Sequence, residues 1–239
     1  MYFLDLILFF AIYSFLGWLM ETIFASTIER KFINRGFLIG PFCPIYGFGA
    51  VMIILGAKWA NGIFEHGLTL YVIGILFSVI LTTILEYITG AALEKFFNCK
   101  WWDYSDCALN LHGYICLKYS LLWGLLAFLM LQVIHPEILK IYISIPIQTK
   151  IYFSIVLIIY FLADTIKSVM DIVDLRIVIL KYSDFSVNKY YDKIIEYKRI
   201  FLAFPRLLIL NAGIMNRDVR SVLNGRINKI KDEIKIRFK

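Results

Sequence analysis

The chain has 239 residues, 60% of them hydrophobic, 17% aromatic and 18% charged, with a net charge of +7. Soluble domains carry about a quarter charged and about half apolar residues, so a bilayer must be the solvent for much of this chain. That excludes an ordinary soluble enzyme, a disordered regulator and a secreted disulfide scaffold. The charge is split unevenly: residues 1–175 hold ten Lys and Arg against twelve Asp and Glu, whereas residues 176–239 hold fifteen against six. The division predicts a transmembrane domain over 1–175 and a basic cytoplasmic helical tail over 176–239, making the protein all-α, an integral membrane bundle of about five transmembrane helices.

Five stretches approach the ~20 residues a helix needs to cross the ~30 Å hydrocarbon layer. The first runs from Leu6 to Ile28, broken only by Glu21. Asp5 is its first charge and no cationic segment precedes it, so it is expected to be a retained span rather than a signal peptide. The second, Phe37 to Ala57, is uncharged but contains Pro41 and Pro44. The third is uncharged from Gly67 to Leu85 and continues through Glu86 to Leu93. The fourth covers Gly113 to Ile134, and the fifth begins near Ile151 and meets Asp164, Lys167, Asp171 and Asp174 at its end.

The Lys and Arg residues orient these spans. Arg30, Lys31 and Arg35 lie in the first connection, Lys95 and Lys100 in the third, and fifteen in the tail; Lys58, Lys140 and Lys150 fall on the other side. The expected topology is a multi-pass protein of the cell membrane with its N-terminus outside and its C-terminus in the cytoplasm. In the tail, Val219, Leu223, Ile227, Ile230, Ile234 and Phe238 recur at helical spacing between basic residues. Such a stripe suits membrane lipid, a partner groove, or the tail's other helix around Ile194 to Leu210. Nucleic acid is disfavoured, because no aromatic platform accompanies the charge.

The unusual residues gather at the cytoplasmic ends. Glu21 shares a helix face with Ser14 and Trp18, and Glu86 sits among Thr82, Thr83, Thr89 and Gly90; each carboxylate would serve either a ligand or helix pairing. Asp164 to Asp174 read first as an intrahelical charge ladder. From Asn34 to Gly49 two prolines and four glycines interrupt an apolar run, which precludes a regular helix there. Pro44 suits a first helical turn, so the second helix should start at it and present its N-terminus beside Arg35 to an anionic group. The alternative is a tight re-entrant turn that only packs. The third connection adds Trp102, Asp103, Ser105, Asn110 and His112. Glu21, Glu86, Asp103 and His112 would supply a metal site or an acid–base pair only if folding brought them together. The four cysteines match no metal spacing, and no cofactor is expected.

Tyr13-Ser14-Phe15-Leu16-Gly17-Trp18 with Glu21, Asn34-Arg35-Gly36 to Tyr46-Gly47, Glu86-Tyr87 with Thr89-Gly90, and Trp102-Asp103-Tyr104-Ser105 with Asn110 and Gly113 resemble the ABC-transporter permease family also called CmpB-like. The likeness spans residues 5–125 and implies a small multi-pass transport component. No G-x-x-x-x-G-K-[ST] loop occurs, so an ATPase would be a separate subunit, and a homodimer or partner would complete a path. The leading expectation is a permease-like, substrate-handling component with a cytoplasm-facing polar cavity. Its candidate ligand residues are Glu21, Arg35, Glu86, Trp102, Asp103 and Asn110. The alternatives are a scaffold or regulator acting through its basic tail, and a membrane-embedded enzyme acting on a lipid-linked substrate with the same carboxylates and His112.

Overall fold

The computed structural model describes residues 3–61, 67–180, 197–204 and 207–209. The stripe from Val219 to Phe238 and the start of the helix expected at Ile194 lie outside the described residues. Long apolar runs leave the backbone no partner but itself, so they become helices. These are α1 (Phe3–Glu29), α2 (Pro44–Asn61), α3 (Leu68–Phe97), α4 (Leu117–Leu129), α5 (His135–Ser144), α6 (Ile147–Leu180) and the short α7 (Lys198–Ala203). Among the described residues, four apolar spans are long enough to cross a membrane: Leu4–Glu29, Tyr71–Phe97, Leu117–Ser144 and Ile147–Val178, with mean hydropathy from 1.7 to 2.1. The protein is a helical membrane bundle.

The fourth span is longer than the sequence pattern suggests. Its expected end was Ile134, and Pro136 follows, a residue that lacks an N–H and crowds the carbonyl four residues back. A π-helical turn, Met130–Ile134, stands between α4 and α5 instead. It takes up the misfit and lets the helical run continue to Ser144, so Lys140 and Lys150 sit in α5 and α6 rather than in a long connection. The π-turn also aims His135, whose Nδ1 is 2.8 Å from the Tyr13 hydroxyl.

α1 packs on α2 and α6, and α3 packs on α2 and α4. In lipid the helices gain little from apolar burial against each other, so close contact between small residues holds them. Ser78 and Ser120 are buried on α3 and α4, and a Cβ on Gly124 would come within 2.6 Å of the Val79 backbone. The opposite faces, with Leu76, Ile80, Ile84 and Ile88 of α3 and Tyr152, Val156, Ile159, Leu162 and Ile166 of α6, are exposed and form the lipid-facing belt.

The connections 30–43 and 98–116 share one end of the bundle, where Phe37 meets Trp101 with ring centroids 5.2 Å apart. Four short strands sit there: β1 (Cys99–Lys100), β2 (Asn110–Leu111), β3 (Ile115–Cys116) and β4 (Leu208–Ile209). β2 and β3 make an antiparallel hairpin, and β4 pairs antiparallel with β1, Lys100 opposite Leu208. Tyr197, Ile200 and Leu207 thereby join Cys99, Trp101, Ile172, Leu175 and Val178 in one apolar cluster. This loop-rich end carries the candidate site.

Candidate functional site

The second span is discontinuous. α2 begins at Pro44, as its proline predicts, but its 18 residues cover only about 27 Å at 1.5 Å per residue. Residues 36–43 enter the bundle without helical structure and reach α1, where the Cys43 N–H donates to the Ser14 carbonyl at 2.9 Å. Backbone outside a helix must find partners at this depth, and side chains supply them. The Asp164 carboxylate accepts the N–H groups of Ile39 (2.9 Å) and Gly40 (3.0 Å), and Ser168 Oγ lies 3.2 Å from the Ile39 nitrogen. Asn34 Oδ1 accepts from Gly36 N–H and Trp18 Nε1, while its Nδ2 donates to the Ile39 carbonyl at 2.7 Å. Gly40 fits because Asp164 Oδ2 and the Tyr160 hydroxyl fill the space a Cβ would need.

Asp164 is thus set apart from the charge ladder of which the sequence made it a member. Lys167 pairs with Asp171 at 2.6 Å, and Asp164, buried, staples the irregular segment to α6.

Two carboxylates flank the break. Glu21 Oε1 accepts from the Tyr46 hydroxyl at 2.5 Å, and its Oε2 lies 3.6 Å from Arg35 Nε. Arg35 also donates through Nη1 to the Ala203 carbonyl. Gly17 makes room for the Tyr46 ring against α1. Glu86 is 8% exposed, and its Oε1 accepts from the Tyr104 hydroxyl at 3.2 Å. Its Oε2 has no hydrogen-bond partner among the described residues. Trp123 lies beside this carboxyl group and meets Tyr46 edge-on at 5.8 Å. Tyr104 stacks on Tyr119 at 4.8 Å. Arg35, Glu21, Tyr46, Trp123, Glu86 and Tyr104 therefore form one connected polar and aromatic chain. Burial, with the Glu86 carboxylate next, holds the Tyr104 phenol above its ordinary value, so it remains a donor.

The other candidates organise the 98–116 connection. Trp102 Nε1 donates to the Tyr114 carbonyl at 2.8 Å and its ring covers Gly90. Asp103 Oδ1 accepts from Ser105 N–H and Oγ, a side-chain turn. Asn110 Nδ2 donates to the carbonyls of Ser105 and Cys107 at 3.1 and 2.9 Å. At Gly113 φ is +75°, and a Cβ there would strike Asp103. The hairpin borders an open cleft of about 610 Å³ lined by residues that include Tyr87, Glu94, Lys100, Asn110, His112 and Tyr114. His112 Nδ1 is 3.1 Å from the Tyr87 hydroxyl. Burial and then Glu94 push the Tyr114 phenol up to about 12. Of the six residues expected from sequence, Asn110 lines this cleft; Glu21, Arg35 and Glu86 belong to the connected polar and aromatic chain, and Trp102 and Asp103 brace the loop. Tyr46 and Tyr104 entered the sequence reading only through the family pattern and Asp164 only through the charge ladder, and Trp123 did not enter it at all; all four meet the site through long-range contacts.

The family model described as "Putative ABC-transporter type IV" matches residues 8–169, more than half of the 239. The matched region runs from α1 into α6 and contains Glu21, Arg35, Glu86, Trp102, Asp103, Asn110 and Asp164. No curated protein and no solved structure matches the chain. With its apolar helices, broken second span and paired carboxylates inside that region, the chain belongs to the CmpB family of ABC-transporter type IV proteins.

Proposed function

We propose that the chain is a permease-like, substrate-handling component of an ABC-type transport system, with its polar site open to the cytoplasm. The observation that carries this reading is the broken second span beside two linked carboxylates, Glu21 and Glu86. Irregular backbone at membrane depth persists where it is enclosed by protein or borders a wet cavity, and transporters build sites at such breaks. Glu21 and Glu86 serve as ligand or proton-coupling groups. Arg35 supplies the positive charge near an anionic group, while Trp102, Asp103 and Asn110 shape the mouth. Arg30, Lys31, Arg35, Lys95 and Lys100 cluster at the loop-rich end, which supports a cytoplasmic location for it and for the C-terminus, the N-terminus lying outside. The basic tail meets anionic lipid. A separate ATPase subunit supplies energy, and a second copy of the chain completes the path.

Quantitative mass spectrometry of the tagged chain, pulled from its native membrane in mild detergent, tests the reading. A stoichiometric ATPase is the expected partner. Glu21→Gln and Glu86→Gln should retain that partner and bilayer insertion, while the reconstituted complex loses substrate-stimulated ATP hydrolysis. Absence of an ATPase, or normal turnover in both variants, overturns the proposal.

A further inference from the structure

Arg199, in the segment that closes the loop-rich end, is half-buried against the irregular backbone. Its Nη1 donates to the carbonyls of Gly36 and Leu38, both at 3.1 Å, and its Nη2 lies 3.5 Å from the Phe37 carbonyl. Three successive carbonyls thus converge on one guanidinium. Asp171 and Asp164 act on the same charge. Asp171 has Lys167 as a partner at 2.6 Å, whereas Asp164 is bonded to backbone N–H groups and a serine. Without Arg199 the pocket would hold a carboxylate and three carbonyl dipoles facing no cation. Leaving a buried charge uncompensated is strongly destabilising.

We propose that the carbonyls of residues 36–38, backed by Asp164, form a binding cradle for an organic cation bearing several N–H donors, a guanidinium or primary ammonium group, and that Arg199 fills this cradle in cis. The rest of the segment acts as the tether. α7 has six residues, too few to be stable alone, and it is held by the Arg35–Ala203 hydrogen bond, the β1–β4 pair and the Phe204 ring against Trp101. Release of these contacts would withdraw Arg199 and present the cradle to an external cation. The cradle lies on the α6 side of the break and meets the Glu21–Glu86 chain through Arg35, and its occupancy can be read without any transport assay.

Cys43 reports on it, because this buried thiol lies against the Arg35 carbonyl behind the same backbone. The purified full-length protein is labelled with a maleimide, and modification of the Cys43 peptide is timed by mass spectrometry. In Arg199→Ala the empty cradle should loosen residues 36–43 and speed labelling about tenfold. Guanidinium chloride at about 10 mM should bring the rate back to within about twofold of wild type, and sodium chloride at the same concentration should not. Arg199→Gln, which keeps N–H donors but no charge, is the second variant and should respond in the same way. An unchanged Cys43 rate in the variants would show that the backbone needs no cation. Faster labelling that guanidinium leaves unreversed would show that Arg199 is a mechanical latch alone. Either result overturns the cradle.

Discussion

The α3–α4 pair and the 34–43 segment solve the same membrane problem in opposite ways. α3 and α4 satisfy their backbones internally, so their side chains are left to choose neighbours: small residues such as Ser78, Ser120 and Gly124 at the seam, Ile80 and Ile84 toward lipid. The 34–43 segment cannot satisfy itself. It borrows Asp164 and Ser168 from α6, Trp18 and the Ser14 carbonyl from α1, and Arg199 from beyond the bundle. A regular span is therefore a local object assembled by weak packing, whereas a broken one is a long-range object assembled by strong polar contacts. Polar and functional groups accumulate at the break because the backbone there already requires them.

The sharpest way to break this contrast is Asp164→Ala. It leaves the Gly40 N–H unpaired and the Ile39 N–H with only the Ser168 hydroxyl, and should cost about 2–4 kcal/mol; thermal unfolding in detergent would measure it, and a loss below about 1 kcal/mol would refute the staple. In the regular region the largest effect should come from Gly124→Val, since its new side chain meets the Val79 backbone; overpacking of this kind costs about 1–3 kcal/mol. Tyr104→Phe should be milder and should reveal itself through pH. The folded protein holds the Tyr104 phenol above its ordinary value of 10.0. Its contribution is therefore complete below the unfolded value and is lost as pH rises toward the folded one. Wild-type thermal stability should fall above about pH 10, and the variant should show a shallower fall. The smallest effect belongs to the lipid face, where Ile80→Val should stay within about 0.5 kcal/mol. A larger change there would mean that this face meets protein rather than lipid.

The start of α2 was legible because Pro44 has a strong local preference, and the break before it because two prolines and four glycines exclude a helix. Glu21 and Glu86 were visible as unusual positions: a carboxylate inside an apolar span stands out, but its partner does not. Tyr46 and Tyr104 bond these carboxylates from 25 and 18 residues away, distances at which no spacing rule operates. Asp164 was misread as a rung of a charge ladder because helical spacing with Lys167 is visible in sequence, whereas contact with Ile39 and Gly40, about 125 residues earlier, is not. The fourth span was read to end at Ile134, yet its helical run continues through Pro136 to Ser144. A π-turn is the exception that only the surrounding packing selects.

By itself the sequence determined the solvent and the unit of construction. Hydropathy summed over about twenty residues outweighs any single contact, so the spans and their family likeness follow from order and composition alone. Tertiary structure decided which polar groups meet: that Asp164 and Arg199 converge on residues 36–40, that Tyr46 and Trp123 bridge Glu21 to Glu86, and that residues 197–204 and 207–209 close the loop-rich end. The physical reason is the range of the forces. Apolar transfer acts on each segment separately, whereas a buried hydrogen bond exists only between groups that the whole fold has already brought within about 3 Å.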